Sequence, residues 1–415
     1  MRDNKKVRKA AIIGGGAAGF FAALHLAEID PYCEVHVFEK STQLLSKVKV
    51  SGGGRCNVTH ACFDNRTLVQ FYPRGSKQLA SPFKQFSPID TIAWFKERGV
   101  TLKTEADGRM FPVTDSSQTI INCFLEEAQR LGVRIHTQQG VSSFVQENNQ
   151  WKITFSDQSQ FVADALLIAT GSSELIWNQI KSLGIKIEEP APSLFTFNVK
   201  DMNLHELSGI SVEHTSLKIQ GTKLKTEGPL LITHWGMSGP AILKLSAWGA
   251  LDLKALNYNF SLSVSFLPAE NDQSLMDFLK NLRSKESRKQ VNSFSPFDEI
   301  SKRLWNYLLG KSDITQQINW ADLSNKDLQR LVDELLHGQY KVNGKSIFKD
   351  EFVTCGGVSL DEINFKTYES KKYPGLFFAG EVINVDAVTG GFNFQHAWTS
   401  GWIASEGIGE LRIKN

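Results

Sequence analysis

Apolar positions open the chain as a short unbroken run, Ala10-Ala11-Ile12-Ile13. Gly14-Gly15-Gly16 stop it, and an apolar stretch of helical length resumes at Ala17. A strand buried on both faces, a glycine turn and a helix are the start of a parallel βαβ unit. Glu34-Val35-His36-Val37-Phe38-Glu39 predicts the second strand. Helical spacing returns after Ser87 at Ile89, Ile92, Ala93 and Phe95, and stops at Gly99. Thr114-Asp115-Ser116-Ser117 is an N-cap cluster for a helix carrying Ile120, Ile121, Phe124, Leu125 and Ala128, ending near Gly132. Residues 133–136 and 151–155 alternate as strands. Residues 163–171 read as another buried strand, closed by Ala169-Thr170-Gly171.

The middle changes character. Between residues 193 and 268 short strand-like runs, at 194–199, 216–219, 230–233 and 260–266, predict a small antiparallel barrel or sheet. From about residue 270 polar residues dominate. Leu275, Phe278, Leu279 and Leu282, then Trp305, Leu308 and Leu309, then Leu328, Leu331, Val332, Leu335 and Leu336 fall at helical spacing. The sheet pattern resumes at Phe352-Val353-Thr354 and at residues 375–381, and residues 389–398 turn into a closing helix. A nucleotide fold begun at residue 10 and finished near residue 410 must carry its middle as an insertion. The predicted organisation is α/β: a discontinuous Rossmann-like domain (residues 1–192 and 346–415), an inserted β-barrel-like subdomain (193–268) and an inserted helical subdomain (269–345).

The glycines at the first turn have distinct tasks. Gly14 permits the tight turn, Gly16 lets backbone approach a pyrophosphate, and Gly19 lets the helix pack on the strand. Ala17 and Ala18 keep the helix N-terminus free of bulk, and its amides and positive dipole end suit phosphates. Glu39 closes the second strand at the spacing expected of a ribose-binding acid. Its carboxylate suits an adenosine ribose with free hydroxyls and repels a 2′-phosphate, which leaves NAD and FAD both open. Three more strand ends are followed by small residues: Ser51-Gly52-Gly53-Gly54-Arg55-Cys56-Asn57, Ala169-Thr170-Gly171, and residues 379–391. Four such ends in one chain favour a long, flat ligand across the strand tips.

Composition narrows the partners. The chain has 415 residues, 41% apolar and 22% charged, with 46 basic against 44 acidic side chains and a net charge of +2. That balance gives no overall drive toward nucleic acid or membrane. No apolar run approaches the roughly 18 residues of a membrane span. Residues 1–9 are basic, but the apolar run behind them is broken by glycines, which argues against a signal peptide. Cys33, Cys56, Cys62, Cys123 and Cys355 contain no C-x-x-C pair, so a reducing cytoplasm without disulfides or a metal site is expected.

Several motifs together resemble a known family. They are the first glycine turn, the run Ser51-Gly52-Gly53-Gly54-Arg55-Cys56-Asn57, Gly108-Arg109-Met110-Phe111-Pro112, Thr233-His234-Trp235-Gly236-Met237-Ser238-Gly239-Pro240, Gly356-Gly357-Val358, and Phe378-Ala379-Gly380-Glu381 through Gly390-Gly391-Phe392-Asn393-Phe394-Gln395. The chain is similar, almost end to end, to bacterial aminoacetone-oxidase-like, NAD(P)/FAD-dependent flavoproteins, a family that includes bile-acid enone reductases. The resemblance implies FAD as cofactor. It implies that Glu39 and Lys40 serve the adenosine end, that Lys47 and residues 51–57 line the cofactor, and that Glu381 meets the ribityl chain. Gly380, Asp386 and Gly390 complete the implied set, with backbone N–H groups of Gly391, Phe392 and Asn393 facing the pyrimidine edge of the flavin. Leu45 stands where the family often has glycine, and Cys355 where a small apolar residue is common.

His234 is the candidate proton donor, since imidazole titrates near neutrality; the alternative is a packing role. Arg109 is a candidate clamp for a substrate carboxylate or keto oxygen, with a surface or phosphate role as its alternative. Cys56 and Cys355 are expected to be structural thiols and His396 a structural imidazole. The favoured function is an FAD-dependent oxidoreductase that exchanges hydride between flavin N5 and a small substrate, a conjugated enone being the favoured class, at the cleft between FAD domain and insert. One G-x-G-x-x-G means that NAD(P)H, if it is the donor, visits the flavin transiently. The rivals are an FAD-dependent tRNA-modifying enzyme and a non-enzymatic flavin sensor or electron carrier.

Overall fold

The computed structural model describes residues 8–315, 317–346 and 353–411. The chain divides into two compact units. One joins residues up to 191 with those from 353 onward, and the other is the segment 192–352 between them.

The first unit is built on a seven-stranded sheet. Its order is Ile363–Asn364, Glu369–Ser370, Leu376–Phe378, Ala165–Ile168, Arg8–Ile13, Cys33–Phe38 and Arg134–His136. The last five strands run parallel, and the first two form an antiparallel edge. Ile12 sits between Leu167 and Val37, at the centre of the sheet. All four residues of Ala165–Ile168 are buried, as a strand covered on both faces requires. Helices Ala17–Ile29 and Phe392–Glu410 pack on each other along their length, so the first and last parts of the chain share one core. The discontinuous Rossmann-like domain is therefore as expected. Phe352, expected in the returning strand, lies outside the described residues; the strand runs Val353–Val358 and pairs with Ile187–Ser193.

One helix buries a different face from the expected one. Pro88–Glu97 turns Thr91, Trp94 and Phe95 inward, whereas Ile89 is 56% exposed. Thr91 Oγ1 donates to Gln395 Oε1 of the closing helix, and Trp94 packs on Phe21. Burial of the Trp94 and Phe95 rings, with the Thr91–Gln395 bond beside them, outweighs burial of Ile89.

His36 and His136 stack ring on ring at the sheet edge, with His36 Nδ1 3.0 Å from His136 Nε2. Burial, and then the neighbouring His136, push the His36 pKa down to about 4. The unfolded chain binds this proton near the ordinary value of about 6.5, so stability is full at neutral pH and falls as pH drops from 6.5 toward 4. Denaturant midpoints at about pH 7.5 and 5 check this: wild type should lose more than His36→Phe.

The second unit is a closed six-stranded barrel. Its strands follow the order Thr196–Val199, Gly236–Ser238, Lys225–Thr233, Ser211–Ile219, Asn259–Ser265 and Gly338–Ser346, and every neighbouring pair is antiparallel. Leu217, Ile219, Leu230, Ile232, Leu262, Val264, Tyr340 and Val342 alternate into its core. Helices Asp272–Lys285, Lys302–Lys311 and Asn325–His337 put Leu275, Leu279, Trp305, Leu308, Leu331 and Leu335 into that same core. Ser324 and Asp327 form a capping box that starts the third helix. The division expected at residue 268 therefore does not separate two packing units. The helices are a connection between two barrel strands, and the strand that closes the barrel follows them. Helix Pro240–Trp248 also falls inside the region expected to be all strand.

Candidate functional site

The first unit brings the strand-end loops of its parallel sheet to one edge. Gly14 follows Arg8–Ile13, Glu39 follows Cys33–Phe38, Ala169 follows Ala165–Ile168, and Ala379-Gly380-Glu381 follows Leu376–Phe378. This is the carboxyl edge where open α/β sheets take their ligands.

The first turn is tight for stated reasons. Gly14 has φ +113°, and a Cβ there would lie 2.4 Å from Ala169 O. A Cβ at Gly19 would lie 2.0 Å from Gly14 O. Both glycines are required by the fold. Gly16 is different: a Cβ would meet nothing within 4 Å, and its backbone is extended at φ −95°, ψ −170°. It borders open space at the N-terminus of a 13-residue helix that has no side-chain cap. Half-exposed Gly16 and Ala17 are therefore the positions that face a ligand, while Gly14, Ala18 and Gly19 are buried beneath.

Glu39 braces this turn. Its two carboxylate oxygens accept from Gly15 N and Ser41 N, each at 2.9 Å. Lys40 is exposed beside it. The glycine run follows one helical turn from Ser46. Ser51 leaves helical geometry, and Gly52, Gly53, Gly54 and Cys56 then have φ of 59°, 68°, 82° and 61°. Leu45 itself has φ 55° and donates from N to Gly15 O at 2.9 Å. It occupies a left-handed position where glycine is the unstrained choice, which accounts for the glycine common there and not for the leucine.

The far end of the site is equally close-built. Asn57, with its amide turned so that Oδ1 accepts from Gly391 N (2.9 Å) and Nδ2 donates to Thr59 O (3.1 Å), joins the glycine run to the closing helix. Asn393 holds Ala387 through both N (2.9 Å) and O (3.1 Å). Lys47 pairs with Glu381, whose other oxygen accepts from Thr354 N at 2.9 Å. The hydroxyls of Thr170 and Thr354 are buried with no hydrogen-bond partner. Orphaned hydroxyls and an open cradle at Gly16 are what a polyhydroxylated, phosphorylated ligand satisfies. The residues present fit FAD.

Two expected contacts are corrected. Asp386 is fully buried with no ligand present, and its carboxylate is held bidentately by Arg74, so it cannot meet the cofactor. Cys56 is likewise fully buried, and burial pushes its thiol up to about 12, which leaves no reactive thiolate. Phe392 is 1% exposed and is packed between His60 and Phe71, at centroid distances of 4.6 and 4.3 Å. Its ring is a wall of the site, which leaves the expectation for its backbone N–H at the start of the closing helix unaffected.

The two guanidiniums expected near the ligand are already engaged. Arg55 donates to Glu105 (2.6 Å) and lies 3.9 Å above the Phe111 ring. Arg109 pairs with Asp107 (2.7 Å) and Glu105 (3.1 Å) and is 40% exposed at its side chain. His234 is exposed in the turn between two barrel strands, beside Trp235. Cys355 is buried in Val353–Val358, and His396 is buried in the closing helix, where desolvation pushes its pKa to about 3.

Sequence reasoning missed three contributors: Arg74, Gln395 and His60. Gln395 Oε1 accepts from both Thr59 (2.6 Å) and Thr91 (2.9 Å). His60 stacks on Phe392 and has a buried Nδ1 with no partner. Its position directly after the glycine run was the available signal.

Parallel sheet, glycine turn, strand-end acid and paired loops define a Rossmann-like FAD-binding fold with an inserted barrel. The chain belongs to the HI0933-like family: the HI0933-like protein Rossmann domain matches residues 8–407. A Haemophilus influenzae protein named ribosomal RNA dihydrouridine synthase is 30% identical over 96% of this chain and 97% of its own length. An Escherichia coli protein of the same name is 27% identical over 96% and 97%. A Clostridium scindens 3-dehydro-bile acid delta(4,6)-reductase is 25% identical over 97% and 100%. Among solved structures, a Rhodococcus jostii 3-ketosteroid-delta4-(5alpha)-dehydrogenase shares the fold, with a TM-score of 0.52 and 13% identity over 97% of this chain and 98% of that one.

Replacing Glu39 by alanine removes its bonds from Gly15 N and Ser41 N and would remove the expected charge-assisted bonds to the adenosine ribose, worth roughly 1.5–3 kcal/mol. FAD affinity is expected to fall about ten- to hundredfold. Flavin fluorescence during reconstitution of apoprotein measures it, and an unchanged Kd would remove Glu39 from the adenosine end.

Proposed function

We propose that this protein is an FAD-dependent reductase of a C=C bond conjugated to a carbonyl, with a uracil ring of RNA as the favoured substrate. One observation supports the reaction class. Relatives similar along nearly the whole chain carry two different names, and both names describe hydrogen added across such a bond. In uridine C5=C6 is conjugated to the C4 carbonyl, and in a 3-keto steroid the ring alkene is conjugated to C3=O. Both electronic structures accept hydride at the carbon remote from the carbonyl. Identities of 30% and 27% to the RNA-named relatives, against 25%, favour uracil. The small enone is the second reading, supported by the bile-acid reductase.

Bound FAD supplies the hydride. The chain supplies binding and orientation. Amides at Gly16 and Ala17 would hold the diphosphate, and Glu39 the adenosine ribose. Lys47, Glu381 and the hydroxyls of Thr170 and Thr354 would meet the ribityl chain. Asn57, Gly390 and Gly391, at the N-terminus of a 19-residue helix, would face the pyrimidine edge, where the positive end of the helix favours negative charge. His234 is retained as the candidate acid for the second hydrogen. The donor of electrons to the flavin is proposed to be NAD(P)H, visiting transiently.

The test is anaerobic incubation of flavin-loaded protein and NADPH or NADH with unmodified transcripts of the ribosomal RNAs, and separately with a 3-keto-4,6-diene steroid. Dihydrouridine found by mass spectrometry supports the first reading. Steroid reduction alone supports the second, and neither product overturns the reaction class.

A further inference from the structure

Outward positions on four adjacent barrel strands form a continuous cationic and amide-rich wall. Lys225 pairs across the ladder with Lys218, Lys218 with Ser263, and Ser263 with Gln339. The next row along pairs Ser261 with Lys341, and the row after it Asn259 with Asn343. Lys218, Lys225 and Lys341 are exposed, as is Lys223 in the hairpin between the first two strands. Their sequence neighbours Leu217, Thr226, Tyr340 and Val342 are buried inside, so the alternation fixes the lysines on the outer face. Lys345 is not part of this face: past a register shift it stands opposite the buried Phe197, 4.5 Å above the half-buried Tyr258 ring. No acidic residue stands at any of these positions; Glu227, one row beyond Lys225, marks the edge. An open depression of about 230 Å³, lined by Asn259, Phe260, Ser261, Lys341, Val342 and Asn343, lies on the last two of the four strands.

We infer that this outer wall of the barrel docks the RNA phosphate backbone. The inference rests on the RNA reading above and adds where the polyanion lies. Lysines give sequence-independent attraction to phosphates, and Ser, Asn and Gln side chains supply the hydrogen bonds that fix register on a sugar–phosphate chain. A net charge of +2 conceals this face because the acidic residues are elsewhere.

The experiment compares wild type, a triple variant (Lys218→Gln, Lys225→Gln, Lys341→Gln) and its charge-preserving counterpart (Lys218→Arg, Lys225→Arg, Lys341→Arg). All three are flavin-loaded and titrated with protein-free ribosomal RNA transcripts across salt concentrations. The glutamine triple should bind at least about tenfold more weakly, with the slope of log K against log salt reduced by about 2–3. The arginine triple should match wild type, and all three should bind FAD equally. A glutamine triple with wild-type affinity and slope, or an arginine triple as weak as the glutamine one, overturns the docking face. If wild type itself shows no salt-dependent complex and forms no dihydrouridine, the RNA reading fails and takes the docking face with it. If wild type reduces RNA and the glutamine triple binds equally well, only the docking face is lost.

Discussion

Replacing Arg74 with methionine should cost about 3–5 kcal/mol of stability, because it leaves a fully buried carboxylate without its guanidinium. Asp386 is 0% exposed, and Arg74 spans both its oxygens from a side chain that is itself 14% exposed. The pair also fixes geometry. An isolated backbone bridge joins the same two residues, and Val388 N donates to Phe71 O at 3.0 Å. Asn393 then holds Ala387 by both backbone groups. The segment leading into Gly390 and Gly391 is thus pinned from both sides, so FAD affinity should fall together with stability. Arg74→Lys keeps the charge without the planar fork and should lose less. Replacing both partners by apolar residues of similar volume should recover much of the loss, since the cost lies in the unpaired charge. Denaturant unfolding of the three variants measures this, and a loss under about 1 kcal/mol for Arg74→Met would show that water or another cation reaches Asp386.

Arg74 also marks what the sequence conceals. The dinucleotide half was legible because its signals are local: Ile12, Gly14, Gly19 and Glu39 fall within 28 residues, each required by the turn it makes. The Arg74–Asp386 pair spans 312 positions, and the Thr59–Gln395 bond spans 336. No spacing rule reaches so far. The barrel was legible as strands but not as a closed ring. Gly338–Ser346 alternates Tyr340 and Val342 with Gln339, Lys341 and Asn343, yet two apolar side chains beside a strong helix are a faint signal. Register and closure belong to pairings made across the intervening helices. Helix Pro240–Trp248 was readable in hindsight: proline at the first helical position after Gly239 is a start signal, obscured by the strands around it. The exposed Ile89 teaches the same lesson, since burial of the Trp94 and Phe95 rings against the rest of the unit, with Thr91 bonded to Gln395, outweighs local apolar spacing.

Gly16→Val is expected to abolish FAD binding while leaving the folded chain intact, a weakening of at least about 100-fold, or roughly 2.7 kcal/mol. The three glycines of the first turn make different demands, and this position isolates the ligand's share. At Gly14 a side chain would collide with Ala169 O, and at Gly19 with Gly14 O, so substitution at either damages the fold first. At Gly16 the backbone is extended and permitted to any residue, and a Cβ would enter empty space. β-Branched valine even prefers extended backbone. The apoprotein should therefore unfold at the wild-type denaturant midpoint. Only a diphosphate drawn against the amides of the Ala17–Ile29 helix needs that space. The expected result is a colourless, folded protein that takes up no flavin, with Gly16→Ala intermediate. A yellow Gly16→Val protein with wild-type affinity would place the diphosphate elsewhere. An unfolded one would show that the turn needs Gly16 for a reason its geometry does not display.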